Sequence, residues 1–164
     1  MNSKKLFIWG FLFVSVIGSL LHFVYEWSGN NSIVRLFAPW NESTWEHMKL
    51  LFFPMLVLVL FLFFKLPEQS PIPVALSIGT LVGLALIPIL FYTYTGVLGF
   101  SVMAIDIAIF YISVLGVFLT GWFLKDNRKL ANHNGLLLTC LVILAILFFI
   151  FSYYPPEIGL FQEP

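Results

Sequence analysis

The stretch "PWNESTWEHMKLLFFPMLVLVLFLFFK", residues 39–65, decides the fold. From Leu50 to Phe64 it contains only apolar residues, and Lys65 closes it. A helix on a soluble surface keeps a polar face, whereas one that is apolar all round is buried or sits in lipid. Counted from Thr44, the run meets the length of about 20 residues that a hydrocarbon core requires. Its entrance is different in kind: Trp40, Glu42, Trp45, Glu46, His47 and Lys49 crowd into a chain of which only 10% is charged.

The rest of the chain has the same character. Of its 164 residues 60% are hydrophobic, more than a soluble domain of this length can cover with polar surface. Eight basic and eight acidic residues leave no net charge, which argues against a nucleic-acid partner. The single cysteine, Cys140, lies in an apolar run, has no partner for an internal disulfide and reads as a small buried residue.

Five stretches are long enough to cross a membrane: 6–27, 44–65, 73–94, 100–125 and 135–154. Breakers separate them, namely "SGNNS", "LPEQSPIP", "TGVLG" and "DNRKLANHNG". The first run follows two lysines but is too long for a signal peptide and lacks a small-residue cleavage site, so it reads as a retained helix. The expectation is one all-α domain over 1–164, an integral membrane bundle of five transmembrane helices. Lys4, Lys5, Lys65, Lys125, Arg128 and Lys129 fall on one side, and only Arg35 and Lys49 on the other. The positive-inside rule then puts the N-terminus inside and the C-terminus outside, with an outer loop at 28–43 and an outer tail at 155–164.

Ionisable residues within a span are costly and point to function. At about 1.5 Å per residue, His22 lies roughly 7.5 Å below the end of the first span and Asp106 roughly 9 Å into the fourth. Glu46 and His47 open the second span at a similar depth, so three helices deliver ionisable groups to one outer layer. His22 and Glu26 share a helix face with Tyr25 beside them, while adjacent Glu46 and His47 lie about 100° apart and cannot serve one centre equally. His22, His47 and Asp106 are therefore the candidate metal ligands, with zinc or another divalent ion as the cofactor they would suit. Glu46 and Glu26 are candidate acid/base or supporting groups, and Tyr25, Asn41, Glu42, Ser43 and Trp45 candidate ligand contacts.

Plainer roles compete for the same residues. Ser43 and Glu46 fit a capping box, in which each satisfies the other's free backbone donor. A His22–Asp106 contact has a structural reading as well. Trp27, Trp40, Trp45, Tyr92, Tyr94, Tyr153 and Tyr154 map to an outer aromatic belt. Gly79 and Gly83 form a close-packing pair, and Pro54 and Pro88 are expected to kink their helices. Two courses are open to the tail "YYPPEIGLFQEP": an exposed end, or a return across the outer mouth that brings Glu157 or Glu163 toward the polar layer.

The segments "HFVYEWSGNN", "APWNESTWEHMKLLFFP" and "YYPPEIGLFQEP" resemble a family of small prokaryotic membrane proteins classed only as a domain of unknown function. The resemblance implies a polytopic protein of a bacterial cytoplasmic membrane and brings no activity with it. A looser similarity links the chain to membrane hydrolases of the alkaline ceramidase kind, which set Ser, Asp and His around zinc. The chain departs from them in having five spans rather than seven and no C-terminal histidine pair, its remaining histidine, His133, falling in an inner loop.

Three functions follow as expectations. The first is an outer-leaflet polar site that binds a ligand, metal or partner, whether a lipid or small molecule, another protein or a second copy of the chain. The alternative is a metal-dependent membrane hydrolase or lipid-modifying enzyme. The third is a small transporter or channel subunit, which the lack of charge deep in the spans disfavours.

Overall fold

The computed structural model describes residues 2–164, which form an all-α bundle without a β-strand. Its long helices are α1 (Ser3–Trp27), α2 (Thr44–Lys65), α3 (Ile72–Leu98), α4 (Met103–Leu124) and α5 (Asn134–Tyr153). All five are long and apolar enough to cross a membrane. Short 3₁₀ turns at Val34–Leu36, Arg128–His133 and Gly159–Phe161 shape the loop before α2, the approach to α5 and the tail.

The bounds of α2 match the sequence reading. Ser43 caps it by accepting the Glu46 backbone N–H, and Leu66 leaves it in extended geometry ahead of Pro67. The α3–α4 corner does not match. α3 continues past Tyr94 to Leu98, with the Thr93 and Thr95 hydroxyls turned back onto carbonyls one turn earlier, at 2.5 and 2.8 Å. Gly99 stops it in the left-handed region (φ 81°), donating its N–H to Thr95 O at 2.7 Å. α4 consequently starts at Met103 rather than Phe100, and Asp106 sits in its first turn instead of deep in a span.

The helices alternate in direction. One end of the bundle gathers His22, His47, Tyr94, Asp106 and Ser152; the other gathers Lys65, Pro71, Lys125 and Asn134, whose side-chain amide bonds Glu68 O across to α5. Glycines set the closest approaches. Gly79 lies on the Val117 carbonyl of α4, and a Cβ on Gly83 would come within 2.5 Å of the Val117 side chain. This is the small-residue packing that the Gly79–Gly83 spacing implied. On the other flank, Gly18 lets α1 press onto α2 and α4: a Cβ there would lie 2.5 Å from Leu50 O and 2.6 Å from the Phe110 ring. Pro54 and Pro88 lie within α2 and α3, which continue through them. Trp9, Phe64 and Phe123 point outward and are largely exposed, as a lipid-facing surface requires.

The tail takes the folded course. Phe161 is buried with its ring 4.9 Å from that of Trp45 and 5.2 Å from that of Phe151. Phe148 of α5 completes the stack on Trp45 at 4.5 Å. Trp45 is therefore a core residue under the tail, not a member of an interfacial belt.

Candidate metal centre

Three elements meet at one end of the bundle. α1 brings His22, the first turn of α2 brings His47, and the loop ahead of α2 brings Glu42. One ligand atom from each lies within 4.8 Å of the others. The imidazoles meet edge to face, with centroids 5.3 Å apart at 79°. His22 is further held by stacking on Phe23, which in turn stacks on Trp27.

The hydrogen bonds of His47 fix its chemistry. Nδ1 lies 3.0 Å from the Ser43 carbonyl oxygen. A carbonyl only accepts, so Nδ1 carries the proton. That leaves Nε2 directed at Glu42 Oε2 from 3.3 Å. A bare nitrogen lone pair facing a carboxylate is repulsive, so the pair needs a proton or a cation between its atoms. Donation of the second ring N–H to a backbone carbonyl is also the usual arrangement of a metal-binding histidine. The His47 hydrogen bond, aided by the charges of both imidazoles against some burial, holds Glu42 below its ordinary value of 4.5. Its carboxylate is therefore ionised at neutral pH. Glu42 is also the open side of the cluster, its side chain 64% exposed, whereas His47 is 29% exposed.

Donors bound to one zinc at about 2.0–2.2 Å in tetrahedral array stand roughly 3.4 Å apart. The Glu42–His47 separation already meets that, and a His22 ring nitrogen lies within 4.8 Å of both donors. Two imidazoles and a carboxylate with one open side form a donor set suited to zinc or a neighbouring divalent ion.

The other sequence candidates lie elsewhere. Asp106 is outside this cluster; its carboxylate accepts the Tyr94 hydroxyl, which itself receives the Val102 N–H at 3.0 Å. Depth counting from Phe100 placed it a turn too far into the membrane. Glu26 is exposed, and Tyr25 is half-buried with its carbonyl serving the turn at Ser28 and Asn30. Asn41 braces the loop by accepting the Ser43 N–H at 3.1 Å.

That last bond corrects the capping box. Ser43 caps Glu46, but Glu46 does not return the favour, because its carboxylate is committed to a buried network. Lys49 Nζ donates to Glu46 Oε2 at 2.6 Å, Ser152 Oγ at 2.5 Å and Arg35 O at 2.9 Å. The Lys49 and Glu46 side chains are 0% and 2% exposed. Arg35 adds a bond to Ser152 O at 2.6 Å and stacks on Trp40, 3.7 Å from its ring centre. Arg35 and Lys49 are the two cations that the sequence placed against the general charge bias. That exception is the signal the sequence carries of this network.

The expected division between neighbours is present: His47 faces the cluster while Glu46 faces the buried network. No curated protein and no solved structure matches the chain, so the looser likeness to alkaline ceramidases gains no support. A family model does match, over residues 1–164. The chain belongs to the family of unknown function DUF6512.

Proposed function

We propose that this protein binds one divalent transition-metal ion of the zinc class at the outer face of a cytoplasmic membrane. His22, His47 and Glu42 are the ligands. The observation that carries the reading is the convergence of three ligand atoms, one from each residue, within 4.8 Å of one another, with the His47 Nδ1 committed to the Ser43 carbonyl so that Nε2 is the atom turned to Glu42 at 3.3 Å. The basic residues at the opposite end of the bundle support an outer position.

Binding is favoured over catalysis because two of the three candidate carboxylates outside the cluster are engaged, and the third, Glu26, is exposed at the end of α1. Glu46 is paired with Lys49, and Asp106 holds Tyr94. Neither is free to take a proton from a metal-bound water. The exposed side of Glu42 leaves room for a fourth ligand from water, a lipid phosphate or a partner protein.

Elemental analysis tests this directly. Detergent-purified protein, loaded with zinc and desalted, carries about one ion per chain. The His22→Ala/His47→Ala variant, monodisperse and helical, carries none. Zinc-free wild-type protein after loading, or a variant that keeps its ion, overturns the reading.

A further inference from the structure

The buried Lys49 network does not touch the metal cluster, yet it holds the loop that supplies one of its ligands. Lys49 Nζ grips the loop at the Arg35 carbonyl. Its ion-pair partner Glu46 grips it again by accepting the Trp40 N–H at 3.4 Å, two residues before Glu42. Ser152 of α5 anchors the same hub from the far side, through its hydroxyl to Lys49 and its carbonyl to Arg35. The loop is thus fastened to α2 on the Glu46–Lys49 face and then crosses the helix N-terminus to reach the His47 face.

We infer that Lys49 is a positioning residue for Glu42: by fastening the loop, it sets the carboxylate within reach of His47 and His22. Three features support this over a purely stabilising role. Both loop contacts of the ion pair lie on the segment that leads into Glu42, seven and two residues ahead of it. Glu42 itself is exposed and makes one side-chain contact, to His47, so nothing on its own side chain fixes the loop. Finally, a lysine with three acceptors and no exposure has lost all freedom of its ammonium, which fits a hub and wastes a cation otherwise. The inference rests on the metal-binding reading.

Lys49→Met alone would leave the Glu46 carboxylate buried without its cation, so the test removes both charges in Glu46→Leu/Lys49→Met. Cobalt(II) serves as the probe, its visible spectrum reporting ligand number and its titration reporting affinity. The expected result is that this pair and Glu42→Gln each weaken binding by about 10–100-fold and give the same altered spectrum. Combining the three substitutions weakens it no further. A pair variant with wild-type affinity and spectrum overturns the proposal. So does one that weakens the Glu42→Gln protein by the same factor as the wild type, since that is a general structural effect. Hydrogen exchange over residues 36–42 gives a readout independent of metal. Faster exchange in the pair variant supports the anchoring, and unchanged exchange overturns it. If wild-type protein takes up no cobalt, the metal reading fails, and the exchange rates alone decide whether Lys49 anchors the loop.

Discussion

Glu46→Ala is expected to destabilise the protein by about 3–5 kcal/mol. The reason is the residue it abandons. Lys49 is fully buried and keeps only two neutral acceptors, Ser152 Oγ and Arg35 O, once the carboxylate is gone. A cation in that position is stabilised poorly by hydroxyl and carbonyl dipoles alone. Replacing both partners with apolar residues, as in Glu46→Leu/Lys49→Met, is expected to recover most of the loss, because it removes the charge instead of orphaning it. Glu42→Ala provides the contrast. Its carboxylate is exposed, so its loss is expected to cost less than about 1 kcal/mol. Thermal unfolding of the variants in one detergent checks the order. Glu46→Ala melting with the wild type would contradict the network's role.

Gly18→Val is expected to weaken metal binding strongly without touching a ligand. Its Cβ would lie 2.5 Å from the Leu50 carbonyl and 2.6 Å from the Phe110 ring, so α1 must move away from α2 and α4. His22 is one turn further along α1 and moves with it, while His47 stays on α2. Misplacing one ligand of three by about 1 Å or more is expected to weaken zinc binding by at least about 100-fold. The overpacking itself costs roughly 1–3 kcal/mol. Gly96→Val is the control, since a Cβ at that position meets nothing within 4 Å. Zinc titration of the two variants separates an effect of helix approach from one of added bulk; equal affinities would contradict the account.

What could be read from sequence divides along physical lines. The spans were legible because lipid imposes length and uniform apolarity on each helix, and α2 was placed to the residue by Ser43 at one end and Lys65 before Leu66–Pro67 at the other. The α3–α4 corner was misplaced because "TGVLG" offers two glycines. The sequence reading ends the span at Tyr94, ahead of that breaker, but Gly96 lies in the exposed last turns of α3, and Gly99 adopts the left-handed geometry that ends the helix. That slip carried Asp106 with it. His22 and His47 were legible as a pair because helical spacing and depth suffice to bring them together. The path of the loop follows no helical period, so Glu42 was placed among the ligand contacts rather than with the imidazoles. The Lys49 hub was hidden for the same reason: its partner Ser152 is 103 residues away, and only packing brings the two together.

X-ray absorption at the zinc edge, on purified protein loaded with one equivalent, reads the ligands of the ion themselves. The expected shell holds two imidazole nitrogens and light-atom oxygen neighbours at about 2.0–2.2 Å. Glu42→Gln should change the oxygen part alone, and His22→Ala should remove one imidazole. A shell of water oxygens without imidazole scattering, in protein that is folded and monodisperse, would contradict it.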